Sequence, residues 1–247
     1  PLDGMTISGR GFTDEKVKKI ALKGVLTGDS EYDHGRLGQW ALKREYLPST
    51  EPPALIERYQ LVNTGKTPLS VGIPEDVQKA YTDPAKGVDG SYCIEAALDM
   101  KGYFQVMPGD TLRFSAHISA TRPGQASVKP DAELEKRKRE ALVASLMDNL
   151  VLETPDPVID RMFTFSKIRA CESIYATRGG PMHGPGGESY YAAIWANDQA
   201  EYINPYFPFT GYAYGNASAL NSFKHFARFM NEAWTPIPSS IVAEGLD

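Results

Sequence analysis

At 247 residues the chain has room for one large domain or two ordinary ones, and 42% hydrophobic with 23% charged residues is the composition of a globular protein. A net charge of −5 gives no electrostatic reason to bind nucleic acid or an anionic membrane, and no apolar run approaches the roughly 20 residues that span a bilayer. The opening Pro1-Leu2-Asp3-Gly4 does not form a signal peptide, and a start at Pro1 is expected where something has been removed.

From about residue 5 to 122 short strand patterns alternate with turn signals. Val17–Ile20 leads into Ala21–Leu26. Leu55–Val62 is followed by the turn Asn63-Thr-Gly-Lys66 and then by Thr67–Val71. Gly102–Met107 meets the turn Pro108-Gly-Asp110 and continues as Thr111–Ile118. In that last run Leu112, Phe114, Ala116 and Ile118 fall on one face, with Arg113, Ser115 and His117 on the other, the pattern of a half-buried antiparallel strand. Repeated strands with such turns predict a β-sandwich. Cys93 and Cys171 are the only cysteines. Each sits in an apolar pattern, Cys93 in a strand and Cys171 on a helix, and both are expected as buried free thiols.

Thr121–Pro130 reads as a linker, after which the period changes. Asp131 is a helix N-cap, with Glu133 and Glu135 in the first turn where carboxylates suit the helix dipole. Lys136–Glu140 is expected as a solvated helix face, and Leu142, Val143, Leu146, Met147 and Leu150 form an apolar stripe. Thr154-Pro-Asp-Pro157 stops that helix and primes a second, in which Ile159, Met162, Phe163, Ile168, Cys171, Ile174 and Tyr175 recur at helical spacing before Gly179-Gly180. A third helix is predicted near Ala217–Met230, capped by Asn216 or Ser218, with Leu220, Phe223, Phe226, Ala227 and Met230 on one side.

The segment 179–215 is long for a loop in a helical domain, and such loops usually carry function. Half of the chain's aromatic residues lie between Tyr190 and Trp234. Aromatic faces stack on the C–H faces of sugar rings, while carboxylates and amides bond the hydroxyls. Trp195-Ala-Asn197-Asp198-Gln199-Ala-Glu201 offers that combination within seven residues. On an α-helix Asp198 and Glu201 would share a face, and paired carboxylates can bind a polar ligand, raise one another's pKa or contact a metal. They are the catalytic candidates. Trp195, Asn197, Gln199, Glu188 and His183 are the substrate-binding ones. The plainer readings stay open beside these: aromatics near Pro and Gly pack loops, Asp198 can cap a helix, and His183 can serve as a loop hydrogen-bonder. The glycines between 179 and 187 lack the strand–GxxxxGK[ST]–helix context of a nucleotide loop, and GxSxG and HExxH are absent. No cofactor or metal is expected.

Thr154–Pro157 before a helix, Phe165–Ile174, Gly179-Gly180 and Ile194-Trp-Ala-Asn-Asp-Gln-Ala-Glu-Tyr202 resemble the start of the catalytic domain in six-hairpin, (α/α)6-barrel glycosidases. The amino-terminal half, with Leu61–Leu69 and Val106–Asp110, is similar in style to the β-sandwich that precedes such barrels. The resemblance implies an α+β chain: a sandwich over 1–122, a linker and helix over 123–153, and the opening helices and substrate loop of an (α/α)6 toroid over 154–247. It implies that Trp195 walls the sugar subsite where cleavage occurs and that Asp198 hydrogen-bonds the sugar hydroxyls. It also implies a carbohydrate substrate, no nucleic acid or membrane partner, and a periplasmic or secreted enzyme.

The reaction implied is glycosidic hydrolysis with inversion, which needs two carboxyl groups roughly 6.5–9.5 Å apart. Asp198 and Glu201 on one helical turn would be too close and too similarly directed for both roles. Asp198 is therefore expected to bind substrate, with at least one catalytic carboxylate on helices that this chain does not contain and Glu188 as a spare. A complete barrel holds twelve helices, whereas the 91 residues from Pro157 onward have room for about three. A remnant of three would expose apolar stripes at 159–175 and 220–230, so a partner chain or self-association completing the barrel is expected, or else the chain is a fragment without activity of its own. The alternative is a non-catalytic carbohydrate-binding or assembly protein whose sandwich does the work, favoured if Trp40, Tyr59 or Tyr103 is exposed on a sandwich face. In a third reading the helices only dock to another subunit.

Overall fold

Alternating inward apolar and outward polar residues build the first half of the chain into two facing antiparallel sheets. The computed structural model describes residues 2, 4–75, 77–86, 90–184 and 193–242, and the chain divides into two units, Pro1–Ala141 and Leu142–Asp247. The strands of the first are β1 (Thr6–Ile7), β2 (Lys16–Leu22), β3 (Leu26–Asp33), β4 (Gln39–Pro48), β5 (Ala54–Asn63), β6 (Leu69–Ile73), β7 (Val77–Tyr81), β8 (Cys93–Leu98), β9 (Gly102–Val106) and β10 (Thr111–Thr121). Seven pair in the order β2-β3-β4-β5-β10-β8-β7, and three in the order β1-β6-β9. This is the β-sandwich that the alternation predicts.

The core between the sheets holds Ile7, Leu69, Val71, Ile73 and Val106 from the smaller sheet. Tyr32, Trp40, Leu42, Tyr59, Leu61, Phe114 and Ala116 come from the larger. Trp40 is 0% exposed and stacks on Tyr32 with ring centroids 5.2 Å apart; Tyr59 stacks on Phe114 at 4.9 Å. Neither Trp40 nor Tyr59 is a surface aromatic. The two turns read from the sequence join strands of different sheets, not hairpins: β5 to β6 and β9 to β10. Asn63 organises the first of them. Its Nδ2 donates to the carbonyls of Thr67 and Val106, both at 2.8 Å, and its Oδ1 accepts from the Gly65 amide at 2.9 Å.

Helix α1 (Ala132–Asp148) starts at the expected cap, where Asp131 Oδ1 accepts from the amides of Glu133 and Leu134 at 3.0 Å. Its first half is not a solvated face. Arg139 is buried with Nε 2.8 Å from Gly24 O, Lys136 pairs with Glu45 at 2.7 Å, and buried Glu135 accepts from Thr50 N at 2.8 Å. Local charge pattern cannot foresee this, because the partners lie about 85 or more residues away.

In the second unit helix α2 (Pro157–Glu172) is capped by Asp156, whose Oδ1 accepts from Val158 N at 2.8 Å, with Pro157 as its first residue. The helix stops earlier than its apolar spacing predicts. Ile174 and Tyr175 belong instead to a hairpin of β11 (Ile174–Thr177) and β12 (Gly180–His183), which turns at Gly180 with φ +95°. Strand β13 (Ala193–Trp195) leads into a π-helical turn (Asp198–Ile203), followed by α3 (Asn204–Thr210) and α4 (Ala213–Ala227), and β14 (Ser240–Val242) returns to pair with β13. Helix α4 begins at Tyr212 without a side-chain cap, so Asn216 and Ser218, expected as caps, lie inside it. Gly215 admits Phe207 of α3 against the helix, where a Cβ would stand 2.4 Å from the ring.

The predicted apolar stripes are only half used within this unit. Ile168, Cys171 and Phe226 are buried, whereas Ile159, Met162, Leu220, Phe223 and Met230 are exposed. The chain is thus α+β, a β-sandwich with a helical part.

Candidate functional site

Three elements of the second unit converge on the Trp195–Glu201 segment. Strands β13 and β14 pair with Ile194 opposite Ile241 and Trp195 opposite Ser240. Buried Ile194, Ile241, Met182 and Phe226 form a small core under them, joined by Ala196. The β11–β12 hairpin is clamped by α4: Asn221 Nδ2 donates to Gly179 O at 2.7 Å and to Pro181 O at 3.0 Å, and His225 Nε2 lies 2.8 Å from Gly179 O. Gln199, on the π-turn and fully buried, donates from Nε2 to His183 O at 2.8 Å and so ties turn to hairpin.

Within this frame the predicted residues separate. Trp195 is half-buried at the end of β13, Asn197 is exposed, and Asp198 is half-buried at the first position of the π-turn. Glu201 is exposed. The segment is helical but not α-helical: the Asn204 amide reaches Gln199 O five residues back. Asp198 and Glu201 thus stand on a π-turn, not on the α-helical turn that would set positions i and i+3 on one face. Such π-turns occur often at functional sites. Glu188 lies outside the described residues.

His183 ends β12, buried, with its ring edge-on to Phe207 at 5.9 Å. Burial pushes its imidazole down to about 4, against the neighbouring Asp198 carboxylate, which favours the charged ring. At neutral pH the ring is therefore uncharged, and Asp198 stands beside a neutral neighbour. Buried Asn204 donates from Nδ2 to Ser222 Oγ at 2.8 Å, linking the end of the π-turn to α4. The arrangement presents an indole at the end of β13, and an exposed amide and a half-buried carboxylate two and three residues on, at the start of a turn held from behind by Gln199, Asn204 and the hairpin. Such a set can stack on a pyranose ring and bond its hydroxyls.

Sequence reasoning missed the supports, Asn204, Ser222 and Asn221. Small polar residues inside aromatic-rich helices carry no periodic signal. Beside the turn, Ala196, Ala200, Phe223, Phe226, Met230 and Ile237 line an apolar hollow of about 400 Å³. Among the described residues no group of three or more His, Cys, Asp or Glu side chains could hold a metal ion, and no helix is long and apolar enough to cross a membrane.

No protein-family model and no curated protein matches the chain. A solved structure named "Putative kojibiose phosphorylase from human microbiome" is similar over 82% of this chain, with a TM-score of 0.59 and 7% sequence identity. The chain spans 35% of that structure's length. At such identity the likeness is one of fold alone.

Proposed function

We propose that this chain is the sandwich and the opening helices of an enzyme that cleaves glycosidic bonds, with Trp195 stacking on the sugar at the cleavage subsite and Asp198 bonding its hydroxyls. What carries the reading is a half-buried carboxylate, Asp198, three residues after a half-buried indole on a turn braced from three sides, in a fold similar to that of a carbohydrate-active protein. Asn197 is the next binding candidate because it is exposed beside them. Gln199 acts from behind, through His183. The exposed Met162, Phe165, Leu220, Phe223 and Met230 support coverage by further helices of the same barrel. The catalytic carboxylate pair is completed there, and cleavage belongs to the completed barrel.

Inverting hydrolysis is the reaction proposed. Phosphorolysis is the second reading, favoured by the name of the similar structure; the two differ in whether inorganic phosphate is consumed. The test on this chain is a fluorescence titration with disaccharides, kojibiose among them, following tryptophan emission in the wild type, Trp195→Phe and Asp198→Asn. A saturable change that Trp195→Phe abolishes and Asp198→Asn weakens at least tenfold is expected. No response to any disaccharide, or an unaltered response in Asp198→Asn, removes the site.

A further inference from the structure

The smaller sheet of the sandwich has an outer face that the reading above does not use. Antiparallel register sets Tyr103 of β9 directly opposite Gly72 of β6, and Gly72 directly opposite Thr6 of β1. One row across the sheet therefore reads Tyr–Gly–Thr. A Cβ at Gly72 would lie 2.7 Å from Thr6 Oγ1 and 3.0 Å from Tyr103 Cε1, so hydroxyl and ring close over buried Gly72 in the space a side chain would take. This row lies in an open cleft of about 580 Å³, which Gly4, Pro74 and Gly102 also line. Lys101 and Glu75 pair at its rim and cancel each other's charge. The next row on the same face brings Ser70 opposite Gln105.

A tyrosine can cover a cross-strand glycine simply to shield the sheet. The Tyr103 ring does reach over Gly72, yet Tyr103 keeps 87% of its surface in water, more than shielding alone would leave. Its open face stands among small and hydroxylated residues. Among the described residues the side chains of Thr6, Ser70 and Gln105 make no hydrogen bond. An exposed aromatic face, uncommitted neutral donors and acceptors around it, and a paired Lys101 and Glu75 at the rim together match a neutral saccharide ring. The ring stacks by its C–H face and bonds at its edge.

We propose that this face is a second, non-catalytic site for a neutral polysaccharide chain, with Tyr103 as its stacking residue. It stands on the first unit alone and does not depend on the Trp195 site being correct. The experiment is native electrophoresis of the protein in gels containing soluble amylopectin, dextran, mixed-linkage β-glucan or xylan. Wild type is compared with Tyr103→Ala, Gly72→Val and Asp198→Asn, and thermal melting shows that each variant is folded. Expected is retardation by at least one polymer, weakened fivefold or more in Tyr103→Ala and retained in Asp198→Asn; Gly72→Val, where folded, should lose it as well. No retardation in any gel, a change under fivefold in Tyr103→Ala, or loss in Asp198→Asn overturns the proposal. Because the fluorescence titration reads Trp195, a Tyr103→Ala protein that still responds to a disaccharide separates the two sites.

Discussion

Lys167 Nζ donates to the backbone carbonyl of Asn149 at 2.7 Å, and to that of Met147 at 3.1 Å, just at the end of α1. The last carbonyls of a helix have no partner within it and carry the negative end of its dipole. A buried ammonium from α2 answers both needs. Burial pulls the Lys167 pKa downward, and the Asp148 carboxylate opposes that shift. Replacing Lys167 by Met keeps most of the volume and strands the carbonyls. A loss of about 2–3 kcal/mol is expected from the charged hydrogen bonds, read as a lower urea midpoint. A loss below about 0.5 kcal/mol would mean that water replaces the ammonium without penalty.

His183 sets a pH dependence. Its folded pKa of about 4 lies below the ordinary 6.5, so between those values the unfolded chain binds the proton and the folded one does not. Stability is therefore full above 6.5 and falls as the pH drops toward about 4, by on the order of 3 kcal/mol at most. His183→Gln should flatten this part of the melting-temperature profile relative to wild type, because carboxylates titrating in the same range are common to both. Asp198→Asn should extend the loss to lower pH, since the carboxylate raises the imidazole pKa. Parallel profiles in wild type and His183→Gln would exclude His183 as the source.

Gly38 is the least replaceable glycine of the sandwich. Its φ is +123°, a region closed to residues with a Cβ, and a Cβ there would stand 2.3 Å from Leu69 Cδ2 in the core. Gly38→Ala should destabilise by at least about 2 kcal/mol. The control is Gly28→Ala, where nothing lies within 4 Å and φ is ordinary; chemical denaturation should separate the two clearly.

Asp156→Ala removes the side-chain acceptor at the start of α2 and should cost about 1 kcal/mol. Asp156→Asn should recover most of that. Equal loss in both would assign the effect to charge, not to the cap.

The thiols should differ in reactivity. Cys171 is buried, and burial pushes its thiol up to about 11; Cys93 is half-buried on β8. At neutral pH a thiol reagent should titrate one cysteine per native chain and two after unfolding. Prompt reaction at Cys171 would show that α2 opens readily.

Much of this fold can be read locally. The alternation Leu112–Ile118 specifies a half-buried strand, Asn63-Thr-Gly-Lys66 specifies a turn, and Asp131 and Asp156 announce helices, because each signal involves neighbours in sequence. What escapes depends on distant partners. A turn between sheets and a hairpin turn look alike in sequence, so the separation of β9 from β10 is invisible there. Ile174 and Tyr175 keep helical spacing but pair as a strand, since β12 supplies their partners. The burial of Arg139 and Lys167 depends on the carbonyls of Gly24 and Asn149. At the candidate site Trp195 and Asp198 stand out by composition, whereas the π-turn that carries Asp198 and Glu201 differs from an α-turn only in which amide meets which carbonyl.

The pairing of β13 with β14 has a consequence for how the second unit comes into being. Trp195 and its neighbours leave the ribosome long before Ser240–Val242, with the π-turn, α3 and α4 made in between. Until that last strand emerges, β13 is an open edge with apolar Ile194 uncovered, and closing the gap draws on the entropy of a long loop. The nascent turn is thus clasped only by a strand made well after it, and a ribosome that stalls before residue 240 holds the turn without its clasp.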